Sequence, residues 1–164
     1  MKTTIKVAID AHALGRGQAG YESYLRNLVG ELPGVAPDLR FVLYGDLSPR
    51  RAQRLLWDLP TKLLRDRPDV LHVQYAAPFP CFTPIVATIH DLSFIDVPQF
   101  TPRLESNLLR LAVGRTVRMA GRIVTVSEFS KLRLLSYYGL KPERVVVAPN
   151  AAGPQFTPDR KSVV

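Results

Sequence analysis

The sequence holds one cysteine, Cys81, in 164 residues, so no internal disulfide can form and nothing points to an oxidising compartment. No apolar run reaches the length of a membrane span. Met1 to Ile9 carries two lysines but lacks the apolar stretch of a signal peptide. Internal repeats and low-complexity segments are absent, which excludes solenoid and propeller arrays. Acidic residues are in short supply, 14 against 22 lysines and arginines, leaving a formal charge of +8. These absences predict a single globular, cytoplasmic domain, with room for a peripheral position at the inner face of a membrane. The excess positive charge asks for an anionic partner. The basic residues are spread over Arg50 to Arg67 and Arg103 to Arg122, with no block of like charge. A solvated surface or an anionic membrane surface fits that spread better than nucleic acid, for which no recognition helix or aromatic platform is visible.

What is present is 46% hydrophobic residues, organised in an alternating pattern. Ile5, Val7 and Ile9 lie in an apolar run ending at Asp10, which reads as a short strand. A glycine-bearing loop follows, and then a helix marked by Tyr21, Tyr24, Leu25, Leu28 and Leu32 and ended by Pro33-Gly34. Further strands are predicted at 40–45, 70–74, 85–89, 123–126 and 144–148. Helical pieces at 50–59 and 61–67 are separated by Pro60. Leu104, Leu108 and Leu111 mark one face of a long helix reaching about Ala120, and Ser127 caps a helix from Glu128 to Tyr138, closed by Gly139. Strands separated by helices, with runs too apolar for a one-sided sheet, predict a Rossmann-like α/β fold: an open parallel sheet with helices on both faces. The turn-rich stretch from Pro149 onward reads as a linker, so the expected division is a domain over 1–149 and a linker over 150–164.

In such sheets ligands bind beyond the carboxyl ends of the strands. Gly15, Gly17 and Gly20 satisfy the one-three-six spacing of a dinucleotide loop, where backbone amides can approach phosphate or sugar oxygens. Glycines needed only for a tight turn explain the same spacing. The strand at 85–89 runs into His90-Asp91, placing an imidazole and a carboxylate at the edge, where a histidine can hydrogen-bond a hydroxyl or exchange a proton. Ser127 and Glu128 open a helix at the same edge, where capping is as good an explanation as ligand contact.

Taken in order, Gly20-Tyr-Glu-Ser-Tyr, Pro68-Asp-Val-Leu-His-Val73, Thr88-Ile-His-Asp-Leu-Ser93, Val126-Ser-Glu-Phe-Ser-Lys131 and Val147-Ala-Pro-Asn150 resemble glycosyltransferase family 4 over nearly the whole chain. The sequence departs from that family where Ala19 precedes Gly20 in place of a glycine pair. The resemblance implies the N-terminal, acceptor-binding half of a retaining GT-B enzyme that moves a hexose-like sugar from a nucleotide-sugar donor to a glycan, lipid or other acceptor. It implies no metal and no cofactor beyond the donor as co-substrate. By the same likeness His90 is the catalytic contact to the donor sugar. Gly17, Gly20, Tyr21 and Glu22 lie against donor phosphates and acceptor, and Asp91, Ser127 and Glu128 lie at the cleft edge. The C-terminal donor-binding domain is absent, so the chain alone is expected to be inactive. The competing expectations are a non-catalytic binding or assembly module and a nucleotide-dependent oxidoreductase domain.

Overall fold

The computed structural model describes residues 4–17 and 19–151. The linker reading over 152–164 lies outside the described residues. The strands are β1 (Lys6–Asp10), β2 (Arg40–Tyr44), β3 (Val70–Gln74), β4 (Ile85–Thr88), β5 (Arg122–Thr125) and β6 (Val145–Val147). They form one sheet in the order β2-β1-β3-β4-β5-β6, and every pair is parallel. The expected Rossmann-like open sheet is therefore present. The order reverses at β1, so the crevice lies outside the carboxyl ends of β1 and β3.

Alternation along the strands divides the core in two. Ile9, Ala11 and Ala13 pack with Leu25, Val29 and Leu32 of α1 (Ala19–Val35). Ala8, Leu71, Val73, Ala87 and Ile123 point the other way, into the larger core. There they meet Leu59 and Leu63 of α3 (Leu59–Asp66), Val113 and Val117 of α5 (Arg103–Met119), and Leu134 of α6 (Glu128–Tyr138).

The helices depart from sequence expectation in three places. α1 does not end at Pro33 but continues to Val35. A proline this near the carboxyl end removes one backbone donor, while the next turn is still tied by Ala36 N donating to Leu32 O at 2.9 Å. Pro60 does not break the second helical region either. A short α2 (Arg51–Gln53) runs without a break through one π-helical turn at 54–58 into α3; Pro60 follows the π turn, and the Leu55 carbonyl accepts from Phe79 N at 2.8 Å instead of from a helical donor. The Thr61 hydroxyl also donates to the Trp57 carbonyl in that turn. Third, the leucine face of α5 points outward. Its buried side is Ser106, Val113, Thr116 and Val117, while Leu104, Leu108 and Leu111 are exposed. A four-residue helix α4 (Ser93–Asp96) and a 3-10 turn at 98–100 lie between β4 and α5 and carry no periodic signal.

α6 matches its sequence reading at both ends. Ser127 Oγ accepts from Ser130 N at 3.1 Å, and Gly139 sits at φ +62°, a left-handed position that favours glycine.

Candidate functional site

Three strand ends and one helix build the site. β1 delivers Asp10, β3 delivers Gln74 and Tyr75, β4 delivers Thr88 and His90, and α1 lays Tyr21 and Tyr24 across them. Tyr24 meets the His90 ring edge-on with centroids 4.7 Å apart, and Tyr21 and Tyr75 lie 5.6 and 5.8 Å from it. His90 is thus a half-buried imidazole walled by three tyrosines. Burial holds its pKa below the ordinary histidine value, against the opposing pull of the Asp91 carboxylate, so the ring is neutral at pH 7. Its Nε2 is 3.0 Å from Gln74 Oε1, an amide oxygen that can only accept. Nε2 is therefore the protonated nitrogen, and Nδ1 keeps its lone pair.

Beneath this ring runs a buried polar line. The Thr88 hydroxyl is 2.9 Å from His72 Nε2 and 3.1 Å from the Tyr24 hydroxyl. His72 Nδ1 and Gln74 Nε2 are buried and have no partner among the described residues. Desolvation pulls the His72 pKa down to about 4, with the Asp10 carboxylate opposing the shift. Because the folded pKa lies below the unfolded value, the folded state binds fewer protons. Its stability is whole above about pH 6.5 and falls as the unfolded chain protonates, by at most about 3 kcal/mol on reaching pH 4. His72→Gln, which cannot charge, is expected to flatten this part of the curve in urea unfolding between pH 7 and pH 4. A slope equal to that of the original protein would remove His72 as its source.

At β1, Asp10 is 1% exposed and Arg54, on the π turn, 5% exposed, and Arg54 Nη1 donates to Asp10 Oδ2 at 2.9 Å. The other carboxylate oxygen takes the His12 backbone amide at 3.3 Å and lies 3.0 Å from His12 Nδ1. Burial pushes the Arg54 guanidinium down, and the Asp10 charge works against that. This pair anchors the start of the glycine loop.

The loop itself closes on Glu22. The amides of Gly15 and Gly17 donate to the two carboxylate oxygens at 3.1 and 2.8 Å, and Arg26 donates to the same carboxylate. These contacts, the Gly15 amide foremost, hold the Glu22 pKa below the usual carboxylate range. Gly15 and Gly17 stand at φ +74° and +67°, so the loop needs glycine there. A phosphate reaching those two amides has to displace Glu22. Gly20, in the first turn of α1, is exposed.

Asp91 is exposed, and its Oδ1 accepts from the Ser93 amide and hydroxyl at 3.0 and 2.8 Å, while its own amide donates to the Tyr75 hydroxyl at 3.3 Å. The Ser127 hydroxyl donates to Ser130 Oγ, and that hydroxyl in turn donates to the His90 carbonyl at 3.0 Å. Ser127 therefore acts here as a cap that ties α6 to the His90 backbone. Glu128 is exposed at the same helix start.

The structure thus groups His90 with Tyr21 and with three residues that the motif reading did not single out: Tyr24, Tyr75 and Gln74. Their signal was position, since Gln74 and Tyr75 close β3 at the switch point. Arg54 had no signal, because a charged residue in an arginine-rich helix reads as surface. Among the described residues, no group of three His, Cys, Asp or Glu side chains comes together to hold a metal ion.

A parallel sheet with a reversal of strand order is common to many α/β families. The sequence profile separates them: the model of Glycosyltransferase Family 4 matches residues 11–155. The chain belongs to glycosyltransferase family 4. No curated protein matches it. The matched span takes in the glycine loop, the tyrosine-walled His90 and the α6 cap. No helix among the described residues is long and apolar enough to cross a membrane.

Proposed function

We propose that this family 4 domain is the acceptor-side half of a retaining glycosyltransferase that moves a hexose-like sugar from a nucleotide-sugar donor to a glycan or lipid-linked acceptor. His90 is the residue that touches the transferred sugar. The observation that carries the reading is the setting of its ring: half-buried, walled by Tyr21, Tyr24 and Tyr75, and held through Nε2 by Gln74. The unprotonated Nδ1 then accepts from a sugar hydroxyl, and the tyrosine rings give the apolar faces of a pyranose a surface to stack on. Asp91 and Glu128, both exposed at the edge, offer acceptors to further hydroxyls.

The chemistry requires more than this domain. Departure of a nucleoside diphosphate leaves charge that cations and amides must meet. Here two loop amides already serve Glu22, and Arg54 serves Asp10. We assign the main grip on the donor to a second α/β domain facing this one. In this account the chain needs no metal or cofactor of its own. The commitment of the loop amides to Glu22 also weakens the oxidoreductase alternative, whose cofactor would use those amides.

Isothermal titration with a panel of sugar nucleotides tests the division of labour. The protein carrying both domains is expected to bind its donor at least tenfold more tightly than residues 1–164 alone, roughly the effect of removing a charged hydrogen-bonded grip. Equal affinity for the short chain would place the donor site here and overturn the assignment.

A further inference from the structure

The long helix wears its apolar stripe on the outside. Leu104, Leu108 and Leu111 recur at i, i+4 and i+7 and are 73%, 50% and 74% exposed, and Phe100, just ahead of the helix, is 81% exposed. The leucines span about 10 Å along the axis. None is needed by the core, which α5 reaches through Val113, Thr116 and Val117. A contiguous row of exposed leucines on a well-formed helix calls for a covering surface.

Charge identifies that surface. Arg103 and Arg118 are exposed at the two ends of the helix, and its one carboxylate, Glu105, lies 3.7 Å from the Arg51 guanidinium. The face therefore presents apolar side chains within an uncompensated positive field, on a chain of formal charge +8. A second copy of the chain carries the same excess of positive charge, formal +8, and is the weaker occupant.

We propose that the outer face of α5 seats this protein on an anionic lipid surface. Leu104, Leu108, Leu111 and Phe100 enter the boundary between headgroups and acyl chains, and Arg103 and Arg118 meet lipid phosphates. Because α5 follows β4 and α4 at the carboxyl edge, a chain lying on this helix holds the mouth of the His90 cleft close to the membrane plane. The inference rests on α5 alone and does not depend on the transferase reading.

Vesicle flotation tests it, with residues 1–164 mixed with phosphatidylcholine vesicles or with vesicles of equal parts phosphatidylcholine and phosphatidylglycerol. At low salt the chain is expected to partition into the mixed vesicles about tenfold more than into the neutral ones, and to be released as salt rises. Leu104→Ser with Leu108→Ser and Leu111→Ser, and separately Arg103→Glu with Arg118→Glu, are each expected to lower that partition about tenfold. Both variants alter exposed side chains, and far-UV circular dichroism verifies that they fold. Equal partition of the leucine variant and the original chain would overturn the proposal. So would failure of the original chain to float with either vesicle, or light scattering that shows a dimer dissolved by the leucine substitutions.

Discussion

Asp10→Ala is expected to lower the unfolding free energy by about 3–5 kcal/mol, the usual cost of leaving one member of a buried ion pair uncompensated. Asp10 and Arg54 are almost wholly removed from water, and burial already depresses the Arg54 pKa with Asp10 in place. Without the carboxylate, the guanidinium must either stay charged and unpaired near Arg51 and Arg16 or pull the π turn open to reach solvent. The loss also reaches the loop, because Asp10 holds the His12 backbone at the point where the chain leaves β1. Asp10→Leu combined with Arg54→Met removes both charges and is expected to recover most of the loss, since a buried pair and an apolar pair of similar volume are often close in stability. Urea midpoints, with the slope checked for constancy, measure both variants. A single-variant loss under about 1 kcal/mol would mean that the pair behaves as a surface salt bridge.

How far the sequence exposes this architecture can be judged element by element. Strands β1 to β6 were legible because each is a short apolar run bounded by turn formers, and their parallel arrangement follows from the helices between them. The α6 boundaries were legible from Ser127 and Gly139, whose roles are local. The proline readings failed for a physical reason. Pro33 sits near a helix end, where a missing donor costs little, and Pro60 follows a π turn that the sequence does not reveal. The α5 leucines show the limit of periodicity: it identifies a stripe without saying which way the stripe faces.

The candidate site was legible in sequence where chemistry and position coincide, as at His90 at the end of β4. It was illegible where the partner comes from afar in the chain. Gln74 reaches His90 across 16 residues, Tyr24 reaches Thr88 across 64, and Arg54 reaches Asp10 across 44. No spacing rule links such pairs, because only the sheet order brings them together. Glu22 was legible as a loop residue, but its occupation of the Gly15 and Gly17 amides depends on how α1 is set against the loop.

His90→Ala is the second large effect. In the proposed two-domain enzyme, it is expected to reduce turnover of the proposed nucleotide-sugar donor about 100-fold, within the range for loss of a positioned hydrogen-bonding or proton-exchanging group. The ring is half-buried and, among the described residues, its side chain bonds Gln74 alone, so its removal is expected to leave the sheet and α1 in place. Gln74→Leu frees the tautomer while keeping the imidazole, and is expected to cost about tenfold. The acid limb of the pH profile should fall below the ordinary histidine value, because burial lowers the His90 pKa and activity needs the neutral ring. The most direct measurement is therefore single-turnover sugar transfer by the original enzyme and by His90→Ala, with thermal unfolding recorded on the same samples. The account predicts a loss of about 100-fold with the melting transition retained. Unchanged transfer in a folded His90→Ala enzyme would contradict it.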